Sequence, residues 1–134
     1  MSDNTKEKQQ MKILTRDEIL EAEDIQIWEV EVPEWGGVVL CRSLTAAQVE
    51  RVQNKFKGKG MKGVTAALVA MACVDDAGKR LFHQSDLDKL SGKSLSACTR
   101  VLKVIMEQNA MEEEDLEELA KNSNDGQTDD LLSD

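Results

Sequence analysis

The run Val64-Thr65-Ala66-Ala67-Leu68-Val69-Ala70-Met71-Ala72-Cys73-Val74 carries no charged side chain, in a chain where 32% of residues are charged. Such a segment offers no face to water and has to be surrounded. Spanning a bilayer takes roughly 20 consecutive apolar residues, and this run is too short for that. A protein interior must therefore surround it. Its length and alanine content predict a central helix over 64–74 with most of its circumference buried.

What can cover that helix is limited. The 134 residues suit one domain rather than two. Only 3% are aromatic, so the core must be built from Val, Leu, Ile, Ala and Met. The segment Ile27-Trp28-Glu29-Val30-Glu31-Val32 alternates apolar and charged residues, which places Trp28, Val30 and Val32 on one face of a strand. Pro33-Glu34-Trp35-Gly36-Gly37 is a turn, and Val38-Val39-Leu40-Cys41 returns as a second strand. A lone hairpin is marginal in water, so its apolar face needs helices or another subunit over it.

Helices are signalled on both sides. Thr15 with Glu18 forms a capping box for a short helix through about Ala22. Thr45 with Gln48 forms another, and Val49, Val52 and Phe56 recur at helical spacing over 45–57. Lys57-Gly58-Lys59-Gly60-Met61-Lys62-Gly63 reads as a basic, mobile loop. After a polar turn at Asp75–Lys79 and the apolar pair Leu81-Phe82, Ser85 with Asp88 is expected to cap a short helix ending near Leu90. From Ser94, the positions Leu95, Cys98, Val101, Leu102, Ile105 and Met106 predict an amphipathic helix to about Ala110. The expected fold is α+β, an N-terminal β-hairpin packed on a small helical bundle, with helix predominating. Residues 1–14 are read as a disordered N-terminus, 15–111 as a single domain, and 112–134 as an acidic, largely disordered tail in which Leu116 and Leu119 can support a short helix.

The formal net charge of −9 is local: Glu112 to Asp134 holds ten acidic residues and one basic, leaving sixteen of each sign over residues 1–111. A neutral body with an acidic end argues against general nucleic-acid binding, which relies on Lys and Arg to neutralise phosphates. The basic cluster Arg51, Lys55, Lys57, Lys59 and Lys62 lacks interleaved aromatics for base stacking. The three cysteines, Cys41, Cys73 and Cys98, are widely spaced among apolar neighbours and read as small buried hydrophobes. The N-terminal MSDNTKEKQQ lacks the apolar stretch of a secretory signal, and a soluble, cytoplasmic protein is expected.

No motif carries chemistry. Gly58-x-Gly60-x-x-Gly63 has the spacing of a dinucleotide fingerprint but follows a helix where a strand is required. As a P-loop it lacks the lysine, since Val64-Thr65 stands there. Asp75-x-x-Gly78 lacks the further acidic ligands of a calcium loop. His83 is the only histidine, so no histidine pair can ligate a metal. The expectation is no enzyme, no catalytic residue, no cofactor and no metal. Partner contact is instead assigned to Trp35 at the hairpin turn and to Lys57, Lys59, Met61 and Lys62 in the basic loop.

The ordered series WEVEVPEWGGVVLCRSL, LVAMACVDDAGKRLF, DLDKLSGKSLSACTRVLKVIMEQN and LEELAKNS, over about residues 24–123, resembles the tail assembly chaperones of phages with long, non-contractile tails. The resemblance implies a helix-rich α+β domain that binds the tape measure protein and assists assembly of tail tube protein around it. It further implies a host-cytoplasmic protein, phage- or prophage-encoded, that is absent from the finished virion. Members are often made in two lengths by translational frameshifting, and this chain resembles the short form. The alternative is a structural or minor component of a phage tail or head. A homo-oligomer is a further expectation, because a hairpin offers free edges.

Overall fold

The computed structural model describes residues 11–56 and 63–121. In chain order these form helix α1 (Arg16–Glu21), strand β1 (Ile27–Val32), a 3-10 turn (Pro33–Trp35), strand β2 (Gly37–Arg42), helices α2 (Ala46–Phe56) and α3 (Val64–Ala72), and strand β3 (Cys73–Val74). A second 3-10 turn (Gln84–Asp86) leads into α4 (Leu87–Ser91), followed by α5 (Leu95–Gln108) and α6 (Glu113–Lys121). The architecture is α+β with helix predominating, as the sequence pattern predicts.

The hairpin forms with Trp28 opposite Cys41, Val30 opposite Val39 and Val32 opposite Gly37. Alternation buries Val30 and Val32 and half-buries Trp28 on one face. Pro33 opens the connecting turn, and Gly36 closes it at φ 80°, a region that other residues rarely enter.

The sheet nevertheless has three strands, because the predicted central helix stops at Ala72 and Cys73–Val74 pairs antiparallel with β2. An unbroken apolar run reads alike as buried helix or buried strand. The following turn decides where the helix ends. The Asp75 carboxylate accepts from the N–H groups of Ala77 at 2.9 Å and Lys79 at 3.0 Å. Gly78 supplies φ 83°, and Asp75 N–H reaches the Lys79 carbonyl at 2.8 Å. That reversal requires extended backbone before it, and Cys73 adopts φ −78°, ψ 133°.

Helix α3 is the centre of the molecule. Every residue of it except Thr65 is buried, and α2, α4, α5 and α6 pack against it while α5 also covers β1. In α5 the expected inward face holds Cys98, Val101 and Ile105 buried, with Leu102 and Met106 partly so. Leu95 departs from that pattern and stands 79% exposed. It is the first helical residue after the Ser94 cap, and Ala97 and Cys98 fill the inward positions of that turn.

Local capping follows the sequence with one correction. Thr15 and Glu18 bond reciprocally at 3.2 and 2.9 Å, and Thr45 and Gln48 at 3.1 and 3.0 Å. The capping pair ahead of the short helix lies two residues earlier than Ser85–Asp88: His83 N–H donates to the Asp86 carboxylate at 2.8 Å, starting the 3-10 turn at Gln84 that leads into α4. The acidic segment forms α6, where the first turn gathers Glu113, Glu114 and Asp115 at the positive end of the helix dipole. Its Leu116 is buried in the core. Residues 122–134 lie outside the described residues.

All three cysteines are buried and unbridged. Cys41 and Cys73 face each other across β2 and β3 with sulfurs 4.0 Å apart. Its hydrogen bond to Cys41 and its burial hold the Cys73 thiol well above the ordinary range, and burial raises that of Cys98. These two thiols are packing groups rather than nucleophiles.

Candidate partner-binding surfaces

Among the described residues, the positions that offered chemical readings have structural employment. His83 is exposed at a helix start, and Asp75 holds a turn. Gly63 begins α3 at φ 87°, where a Cβ would lie 2.7 Å from Phe56 Cε1. Its lack of a side chain lets the end of α2 meet the start of α3, and among the described residues the element that precedes it is α2, a helix. Gly58 and Gly60 lie outside the described residues. Among the described residues no group of three or more His, Cys, Asp or Glu side chains is placed to hold a metal ion. None of the described helices is long and apolar enough to cross a membrane.

The surface is more informative. A groove of about 500 Å³ opens where the β2–α2 connection meets the α5–α6 junction. Leu44, Val49 and Met111 give it apolar walls, and Glu50 and Asp115 give it acidic ones. The junction is fixed by Asn109, whose side-chain amide donates to the Ile105 carbonyl at 2.8 Å and accepts from Leu44 N–H at 2.9 Å. The next residue, Ala110, sits at φ 56°, which costs a residue with a Cβ about 1–2 kcal/mol. Met111 N–H then reaches back to the Met106 carbonyl at 2.8 Å, completing the chain reversal that turns α5 into α6. A neighbouring groove of about 470 Å³ continues from Leu44 and Asn109 to Asp24 and Ile25, where the N-terminal segment joins the body.

That N-terminal segment is the second feature. Helix α1 buries no residue and makes no substantial contact with another element. Met11, Ile13, Leu14, Ile19 and Leu20 are all exposed. What orders α1 is local: the Thr15 capping box and the Lys12–Glu18 ion pair, which together hold the Glu18 carboxyl below its usual range, with Lys12 the larger cause.

Of the residues assigned to partner contact, Trp35 is half-buried and packs on the core from the hairpin turn. Beside it Glu34 accepts from Arg100 Nε on α5 at 2.9 Å, which ties the turn down. The Glu34 carboxyl lies below its usual range, first through a backbone hydrogen bond and then through Arg100. Lys57, Lys59, Met61 and Lys62 lie outside the described residues. Of that assignment the described residues therefore place Trp35 alone. The grooves escaped sequence reasoning because they depend on a contact between Leu44 and Asn109, 65 positions apart. The exposed arm left a signal in Met11, Ile13 and Leu14, which stand apolar within a polar segment.

The fold so described is a small helix-rich α+β domain whose distinctive sites are open surfaces. It is similar to the solved structure of the bacteriophage HK97 tail assembly chaperone, with a TM-score of 0.52 over 81% of this chain and 95% of that one. The two sequences are 18% identical, so the likeness is one of fold. No protein-family model matches the sequence, and no curated protein does.

Proposed function

We propose that this protein is a phage tail assembly chaperone that binds the tape measure protein, assists the assembly of tail tube subunits around it, and is not retained in the virion. The observation that carries the reading is the shared fold with the HK97 tail assembly chaperone across nearly all of that chain. The ordered sequence motifs from Trp28 to about residue 123 support it independently. Physical features agree: an aggregation-prone client with apolar helical faces calls for adaptable apolar surface, and the exposed N-terminal apolar side chains and the groove beside Met111 provide it. Trp35 and the segment holding Lys57, Lys59, Met61 and Lys62 are proposed as further contact points for the partner. The protein acts in the host cytoplasm, non-enzymatically and without a cofactor, encoded by a phage or prophage.

Mass spectrometry tests this against a structural role in tail or head. An assembly chaperone is present in cells making tails and missing from purified particles. Recovery from purified particles at fixed stoichiometry with tail or head proteins overturns the chaperone reading in favour of a structural component.

A further inference from the structure

Where β3 meets the turn that follows it, the surface carries a cleft of about 460 Å³ with a cationic rim. Pairing of Cys41 with Cys73 brings Arg42, the next residue of β2, to the end of α3, and the Asp75–Lys79 reversal returns Arg80 opposite Val74. Arg42, Lys79, Arg80 and His83 line the rim, while the buried Met71 and Val74 give the cleft an apolar floor. Arg80 Nε donates to the Phe82 carbonyl at 3.2 Å, which restrains its guanidinium there. Arg42 and Lys79 are exposed, and neither pairs with a carboxylate among the described residues. No described carboxylate lines the cleft, unlike the grooves at the α5–α6 junction, and Asp75 in the adjoining turn is engaged by the Ala77 and Lys79 N–H groups. A cleft lined by one sign of charge over apolar surface attracts an anionic segment that also carries apolar side chains.

The same chain holds such a segment. Residues 122–134 contain Asp125, Asp129, Asp130 and Asp134 and no basic residue. Asp129-Asp130-Leu131-Leu132-Ser133-Asp134 sets an apolar pair between carboxylates, the order that matches a basic rim above an apolar floor. We propose that Asp129–Asp134 docks in the cleft of its own chain, its carboxylates against Arg42, Lys79 and Arg80 and Leu131-Leu132 toward Met71 and Val74. Arginine is suited to this because its planar guanidinium takes a carboxylate through two parallel N–H bonds.

The connection is long enough. Helix α6 packs on α2 and α3, the helices that contribute Gln48 and Met71 to the cleft. Residues 122–128 extend up to about 25 Å, whereas the whole of α2 rises only about 16 Å. The segment after α6 can therefore pass from one end of α2 to the other before Asp129. The inference does not depend on the function proposed above.

The test is an NMR measurement on isotope-labelled full-length protein carrying a nitroxide at Ser133→Cys, compared with the same sample after the nitroxide is reduced. Burial shields Cys41, Cys73 and Cys98 from the label. The amide signals of Arg42, Lys79 and Arg80 are expected to lose intensity while the nitroxide is active. That loss is expected to vanish in Arg42→Glu/Lys79→Glu, with the remaining amides unshifted, and in Asp129→Asn/Asp130→Asn, which leaves the body untouched. It is also expected to fade in roughly 1 M salt, where the screening length falls to about 3 Å. No attenuation at the cleft overturns the proposal, as does attenuation confined to Arg51 and Lys55 or attenuation that survives both variants. So does attenuation of equal strength when isotope-labelled chains without nitroxide are mixed with unlabelled chains that carry it, because the segment then docks on another copy.

Discussion

Helices α3 and α1 are both short, and they are held by opposite means. In α3 every side chain except Thr65 is buried, no side-chain cap is present at its start, and four other helices contact it. In α1 no side chain is buried, and order comes from a reciprocal cap and an exposed ion pair. Isolated helices of six residues are marginal in water, so α1 lends little to the stability of the body, whereas α3 organises it. The apolar residues of α1 and the segment before it are therefore available for a partner.

Substitutions can break or sharpen this contrast. Leu68, fully buried in α3, should cost about 3 kcal/mol when changed to Ala, through lost contacts and the cavity left behind. Urea unfolding followed by circular dichroism measures this, and a loss under about 1 kcal/mol would mean that α3 is not the organising element. Gly63→Ala comes next, at about 2 kcal/mol, since it combines a left-handed backbone with a close approach to the Phe56 ring. The same measurement should find Ala110→Gly stabilising by about 0.5 kcal/mol, because relief of strain outweighs the greater freedom glycine has when unfolded. Leu20→Ser should leave the unfolding midpoint of dilute protein unchanged. A drop comparable to that of Leu68→Ala would show that α1 packs on the body after all.

How far the sequence could be read follows the same division. Features set by near neighbours were legible: the Thr15–Glu18 and Thr45–Gln48 boxes, the alternation in β1, the Pro33–Gly37 turn and the buried stripe of α5. Strand β3 was not, because Cys73 and Val74 belong to an apolar run that carries no period to separate helix from strand. The exposure of Leu95 was hidden because three- and four-residue spacing counts it as inward, whereas Ala97 and Cys98 fill the inward positions of the first turn. The groove depends on Asn109 meeting Leu44 across the fold and on Ala110 accepting a left-handed conformation, neither of which has a local signature. Trp35 was legible as a turn residue, but not that it leans on the core.

The central claim is tested most directly by producing this protein together with the tape measure protein of the same genome and comparing the tape measure protein's solubility with and without it. The account predicts that the tape measure protein stays soluble and co-purifies with this chain. A tape measure protein that remains insoluble and does not co-purify would contradict it.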